Sequence, residues 1–219
     1  MRIDLYDDEI GHVSLVDNMG DDLRAVHSAR VSFLRDDVEH RTLSTRDERL
    51  IQFLLEEGHT SPFEHSVITF RIRVPLFVRS QIMRHRTFSY NEVSRRYTAE
   101  QVEIYVPMEL RGQSKSNLQC SEGIIDQPEL VTAIQDHMRS SLDLFNALIS
   151  AGVAREQCRM VLPQSLYTTF WMTGNLHNYI KFLRLRDSEH AQIECRYVAV
   201  AIREILSTLY PKTFELIGC

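Results

Sequence analysis

The loops that most often handle phosphate or carry a nucleophile are missing from this chain. No G-x-x-x-x-G-K-[ST] run offers a triphosphate cradle, and no G-x-G-x-x-G opens a Rossmann site. No G-x-S-x-G elbow presents a serine either. A nucleotide held by this protein is therefore held by another route. No stretch approaches the ~18 consecutive apolar residues of a membrane span. The N-terminus, Met1-Arg2-Ile3-Asp4, lacks the apolar run of a signal peptide, which points to a cytoplasmic protein without a membrane partner. Excess positive charge is lacking too. The formal net charge is -5, so no whole-protein field draws in nucleic acid. Cysteine is scarce: Cys120, Cys158, Cys195 and Cys219 show no pair at zinc-site spacing, and a chain this long needs no staples. Free thiols in a reducing compartment follow. No internal repeat or low-complexity tract is present.

What is there is an ordinary globular balance, 43% apolar and 25% charged, too apolar for a disordered chain. Its 219 residues fit one large domain or two small ones, and a single domain spanning 1–219 is the expectation. Ile3-Asp4-Leu5 and Val13-Ser14-Leu15-Val16 alternate as short strands. Leu23, Val26 and Val31 mark a first helix with Asp21 as N-cap, and residues 34–43 form a charged, solvated loop. Thr45-Arg46-Asp47-Glu48 matches a capping box for a second helix that ends at Gly58. The clearest strand runs from Ser66 to Val74, with Ile68, Phe70, Ile72 and Val74 on one face and Thr69, Arg71 and Arg73 on the other. Pro75 breaks it and opens a helix toward Arg84. Ile104-Tyr105-Val106 reads as a short strand and the polar stretch 111–127 as a loop. A long helix runs from Pro128 to Gly152, and a short one from Arg155 to Leu162 stops at Pro163. Leu166 to Met172 is β-rich, and 175–186 and 188–209 are closing helices. The sum is an α+β fold: a central, mostly antiparallel sheet flanked by helices.

Residues 79–97 concentrate the chemistry. Arg79, Arg84, Arg86, Arg95 and Arg96 supply planar, bidentate donors suited to phosphate, and Ser89 and Ser94 add hydroxyls. Gln81, Asn91 and Glu92 have the donors and acceptors to read a base or flavin edge. Taken alone, the segment reads also as a solvated basic helix end. With Phe88, Tyr90 and Tyr97 it reads as a platform for single-stranded nucleic acid, although the acidic total speaks against that. His85 lies between two arginines, whose charge favours a neutral ring. His59, Glu64 and His65 lack a regular ligand spacing and straddle Pro62, so no metal is expected. Ser94 has no adjacent base to make it a nucleophile. Glu156/Arg159 and the 184–192 stretch read, alone, as helix-surface ion pairs.

Arg84-His85-Arg86, followed by Ser89, Asn91, Glu92, Ser94, Arg96 and Tyr97, resembles the signature of flavin-dependent thymidylate synthases. Ser28 to Phe33, Gly58 to His65, Arg155 to Pro163 and Phe182 to Gln192 are similar to further motifs of that family, in the same order. The resemblance implies a compact α/β fold with an antiparallel sheet, and methylation of dUMP to dTMP. It implies methylenetetrahydrofolate as carbon donor, FAD reduced by NADPH as hydride source, and a homotetramer with sites shared between subunits. It places Gln81, Arg84, Glu92, Ser94, Arg95, Arg96, Arg159 and Arg186 on dUMP. Within that set, Ser94 and Arg96 hold the phosphate and Arg186 lies on the uracil. Ser32, Ser61, Glu64, Arg84, His85, Arg86, Asn91, Glu92 and Asn175 fall on FAD, with His59 near flavin and folate. His177 and Lys181 stand where the family usually has an arginine and an asparagine or histidine at the flavin, and Arg95 stands where a small residue is common. Arg186, His59 and Ser94 are the residues nearest the chemistry. The same basic segment leaves open a nucleotide-binding module without catalysis, or a flavoprotein of other chemistry.

Overall fold

The strand expected from its alternating pattern is the spine of the molecule. In the computed structural model, which describes residues 1–34, 42–115 and 120–218, it is β3 (Val67–Pro75). Ile68, Phe70, Ile72 and Val74 are fully buried on one face, while Arg71 on the other is exposed. β3 pairs antiparallel with β7 (Tyr167–Asn175) on one side and with β2 (His12–Met19) on the other. β1 (Arg2–Asp4) borders β2, and β4 (Ser89–Glu92) borders β7. The order is β1-β2-β3-β7-β4, all antiparallel, as expected of the α+β fold.

Helices cover the buried face. α1 (Asp22–Arg30) begins at Asp21, whose carboxylate accepts from the Arg24 N–H at 3.1 Å, as the sequence predicts. Residues 31–33 follow as a 3-10 turn. α2 (Thr45–Glu56) has its capping box one residue earlier than predicted, with Ser44 as the cap and Asp47 as its partner. Gly58, at φ +66°, ends that helix in the left-handed region where glycine carries no Cβ penalty. The expected loop over 34–43 lies, for residues 35–41, outside the described residues.

α3 (Leu76–Ile82) starts one residue after the prediction, because Pro75 is still in β3 and serves as the N-cap. α4 (Pro128–Ser150), α5 (Arg155–Cys158) and a 3-10 turn over Arg159–Val161 match the predicted pattern. α6 (Leu176–Arg186) follows β7, and α7 (Ile193–Leu209) starts five residues later than expected, after a turn closed by Ala191 N–H donating to Ser188 O. α7 packs on α3, α6 and β2. α8 (Pro211–Ile217) was not foreseen. Asp22 accepts from the Lys212 and Thr213 N–H groups at 2.8 and 3.0 Å, capping α8 from a distance in sequence that no local pattern reveals.

Two expectations are corrected. Ile104 to Val106 is not a strand; Ile104 makes a single bridge to Leu166. The stretch 111–127 is not all loop, since β5 (Leu110–Gln113) and β6 (Ser121–Ile125) pair as a hairpin, with residues 116–119 outside the described set. β6 is exposed along its whole length, Ile124 and Ile125 included. Arg111 fastens the hairpin by donating to Ser121 at 3.1 Å and to the buried Glu194 on α7 at 2.5 Å.

Candidate functional site

Between α3 and β4 the chain makes a turn that carries Arg84, His85 and Arg86. Three side chains fix its path. Phe88 is buried, with its ring edge-on to Tyr179 of α6 at 4.8 Å. A Cβ at Gly174 of β7 would lie 2.4 Å from that ring, so only bare backbone lets Phe88 approach. Tyr90, on the core side of β4, donates to the carbonyls of Ile82 and His85, both at 3.0 Å, satisfying the last turn of α3. Asn178 of α6 donates to Thr87 O at 3.0 Å. With the loop pinned inward at Phe88 and Tyr90, Arg84 and Arg86 are turned out and exposed. Neither makes a side-chain hydrogen bond or ion pair with another described residue.

Arg186, the last residue of α6, meets this turn. Its Nε donates to His85 Nε2 at 3.0 Å, its Nη1 to Gln81 Oε1 at 3.4 Å and its Nη2 to Gln81 O at 3.3 Å. The guanidinium is thereby clamped between α3 and the motif turn, so residues 101 and 105 positions apart in sequence share one site. α6 is itself fixed to the sheet by buried Tyr179, whose hydroxyl donates to Met172 O at 2.8 Å.

His85 is neutral, as the sequence suggested, for a partly different reason. Burial is the main cause, followed by the cations of Arg186 and Lys181 on α6, and together they lower its pKa from 6.5 to about 4. The neutral ring is what Arg186 requires, because protonation would remove its acceptor and add a like charge. A folded-state value below the unfolded one means that the unfolded chain takes the proton first. The stabilisation from this site is intact above pH 6.5 and is lost as the pH falls toward about 4. Melting curves from pH 7 down to 4.5 are expected to show a steeper fall for the wild type than for His85→Gln. Parallel curves would show that His85 does not set this dependence.

The other residues singled out in the sequence divide into groups. Asn91 and Glu92 lie on opposite faces of β4: Asn91 pairs with exposed Trp171, while Glu92 faces the core side opposite Phe170. Glu92 Oε1 accepts from Arg79 Nε at 3.1 Å and from Thr168 Oγ1 at 2.7 Å. Just beyond β4, the Ser94 hydroxyl accepts from the Arg96 N–H at 3.3 Å, and exposed Arg96 lies over the Tyr97 ring at 5.4 Å. The Arg95 guanidinium is occupied by its own loop, donating to the carbonyls of Glu100 and Gln101. Asn175 caps α6, accepting from the Asn178 N–H at 2.9 Å, with His177 and Lys181 on the first turns of the same helix.

A second group lies at the junction of α1 and α2. Ser32, His59 and Ser61 line a groove of about 960 Å³ together with Arg30, Arg46, Arg49 and Phe53. His59 is exposed with its ring edge-on to Phe53 at 5.6 Å. Glu64 is exposed, within hydrogen-bond reach of Thr60 at 3.5 Å. Arg159 stands apart on its 3-10 turn. It is exposed, and the turn is held by Ser141 of α4 donating to Val161 O. Within one chain, then, Arg186, Gln81 and His85 come together, none of the three lines the α1/α2 groove, and among the described residues Arg159 shares no hydrogen bond with either group. Among the described residues no cluster of metal-binding side chains exists.

Sequence reading gives Gln192 no role beyond its place at the end of the 182–192 motif and does not single out Glu194; both stand behind Gln81. Gln81 donates to Gln192, and Gln192 Nε2 donates to Glu194 Oε2 at 2.9 Å. The short spacing of Gln192 and Glu194 at the head of α7 was the one available signal, and it looks like any polar helix start.

Comparison with known proteins finds relatives along most of the chain. The sequence profile of the family described as thymidylate synthase complementing protein matches residues 14–212. A flavin-dependent thymidylate synthase from Thermus thermophilus is 43% identical over 201 residues, covering 92% of this chain and 73% of that protein. One from Thermotoga neapolitana is 41% identical over 219 residues, covering 98% and 93%. Among solved structures, a UMP/dUMP methylase, PolB from Streptomyces cacaoi bound with 5-Br dUMP, superposes with a TM-score of 0.85 at 33% identity, over 94% of each chain.

Proposed function

The chain belongs to the flavin-dependent thymidylate synthase family, and from that premise we propose that it carries out the reductive methylation of dUMP to dTMP, with methylenetetrahydrofolate as carbon donor and FAD reduced by NADPH as hydride source. It is a methyltransferase. The observation that carries the finer reading is the Arg186 clamp: a cation oriented by Gln81 and by a neutral His85, which is itself flanked in sequence by two exposed arginines. A fixed cation next to a uracil ring stabilises negative charge as it develops at N3, and a preorganised charge needs no reorientation during the step. Gln81 reads the base edge, Glu92 braces β4 through Arg79, and Ser94 with Arg96 hold the phosphate by charge-assisted bonds.

The residues present suit a flavin dinucleotide. Exposed Arg84 and Arg86 on the turn before β4, with exposed Asn91 on β4 itself, offer side-chain donors that have no partner among the described residues. The α1/α2 groove offers Ser32, Ser61 and His59 among three arginines. When bound, FAD supplies the hydride that completes the methyl group. The division of these groups within one chain fits a homotetramer in which neighbouring copies of residues 1–219, each a single catalytic domain, complete each other's sites. Arg159, exposed on its turn, would reach dUMP across such a junction. Free Cys120, Cys158 and Cys195 suit a reducing, cytoplasmic setting. Among the described residues no helix is long and apolar enough to cross a membrane.

The test is direct. Purified protein incubated with FAD is expected to hold the yellow chromophore through gel filtration. Supplied with dUMP, methylenetetrahydrofolate and NADPH, it is expected to form dTMP. Absence of flavin absorbance after FAD loading would leave only a nucleotide-binding module. Flavin-loaded protein that yields no dTMP would point to other flavin chemistry.

A further inference from the structure

Behind Gln81 runs a chain of hydrogen bonds that the reaction as derived above does not use. Gln81 Nε2 donates to Gln192 Oε1, Gln192 Nε2 donates to Glu194 Oε2 at 2.9 Å, and Arg111 Nη2 donates to Glu194 Oε1 at 2.5 Å. Glu194 is only 4% exposed, and the Tyr6 hydroxyl donates to its backbone carbonyl at 2.8 Å. The chain thus starts from an anchored group and ends at the guanidinium of Arg186.

Its direction is decided at the anchored end. A carboxylate paired with a guanidinium only accepts, whereas a primary amide has one accepting and one donating end. Glu194 therefore draws the NH₂ of Gln192 toward itself. The oxygen of Gln192 is left facing Gln81, and that oxygen draws the NH₂ of Gln81. The remaining end of the Gln81 amide, Oε1, faces Arg186 at 3.4 Å. Were the Gln81 amide reversed, its NH₂ would face the guanidinium and two donors would meet.

We propose that Gln192 and Glu194 are positioning residues that fix which end of the Gln81 amide faces the site, and through it hold the Arg186 guanidinium in its working orientation. This inference rests on the reading of Gln81 and Arg186 as dUMP contacts. The competing role for the chain is a plain tether between the start of α7 and α3. A tether needs Gln192 only as a donor to Glu194. The positioning role needs it as an acceptor for Gln81.

Substitutions at 192 separate the two roles. Gln192→Lys keeps a donor toward Glu194 and offers Gln81 no acceptor. Gln192→Glu keeps the acceptor and gives up the donor. Gln192→Leu removes both. Each variant is loaded with FAD, and flavin content and melting temperature are recorded beside dUMP affinity and kcat/KM for dTMP. The lysine variant is expected to lose roughly tenfold or more in dUMP affinity, the scale of one hydrogen bond to a charged group. The glutamate variant is expected to stay closer to wild type. An affinity order with lysine above glutamate overturns the proposal. Should the glutamate variant fail to fold, leucine takes its place: it leaves the Gln81 amide free to settle either way and is expected to bind dUMP more tightly than lysine, and the opposite order overturns the proposal. Wild-type protein that forms no dTMP would overturn the functional reading itself and the positioning role with it. An active wild type with lysine tolerated would overturn the positioning role alone.

Discussion

Arg186→Ala is expected to cut dTMP formation by roughly 10²–10³-fold or more while leaving FAD bound, because removing one preorganised charge-stabilising donor has effects of that size. The guanidinium contacts Gln81 and His85 through all three nitrogens, at 3.0–3.4 Å, and it belongs to the uracil side of the proposed site. Arg186→Lys is expected to fall nearly as far, since one ammonium cannot span acceptors set by a planar fork. The measurement is single-turnover dTMP formation with flavin content determined by absorbance on the same sample. Loss of flavin from the alanine variant on purification would show that Arg186 serves the cofactor, and a loss of less than about threefold in rate would remove it from the charge-stabilising role.

The largest effect on stability is expected at Asp47. This carboxylate is fully buried, accepts from the Ser44 N–H at 2.8 Å and from its hydroxyl at 2.7 Å, and forms an ion pair with Arg30. One side chain thus caps α2 and ties it to the end of α1. Asp47→Ala leaves the Arg30 guanidinium without that partner in a mostly buried position, and breaking such pairs costs about 3–5 kcal/mol. For a chain of this size each kcal/mol lowers the melting temperature by roughly 2–4 °C, so a fall of about 10 °C is expected. A shift under about 3 °C would show that water or another group replaces the carboxylate. Because Arg30 lines the α1/α2 groove, the same variant is expected to weaken FAD retention, read by the same absorbance measurement.

The pattern of apolar residues was enough to locate β3, its buried face, α1, α4 and α6, since each carries a period of two or about 3.6 that packing then rewards. What local pattern could not decide was settled by distant partners. Ser44/Asp47 and Thr45/Glu48 both satisfy the capping-box spacing; Arg30, which pairs with Asp47, selects the first. Ser89 to Glu92 carries no strand-forming run and becomes β4 only by pairing with β7. The β5–β6 hairpin reads as loop because its anchor, Glu194, lies far along the chain. The site was legible where a motif was contiguous, from Arg84 to Tyr97. The neutrality of His85 was legible as well, but the cations responsible are on α6, not beside it in sequence. Gln192 was legible only as the end of a motif, and Glu194 not at all, because their role depends on the direction of a hydrogen-bond chain, and spacing carries no direction.

The packing of Phe88 against Gly174 has a bearing on how sequences of this fold can drift. The ring occupies the space that any side chain at 174 would need, 2.4 Å from its first atom. Alanine at 174 alone lifts the ring and with it the turn that carries Arg84 and Arg86; a smaller residue at 88 alone leaves a hole beneath the turn. Made together, the two changes relieve each other, so their effects do not add. The positions are free to vary only as a pair, and a substitution harmless in one background is damaging in another.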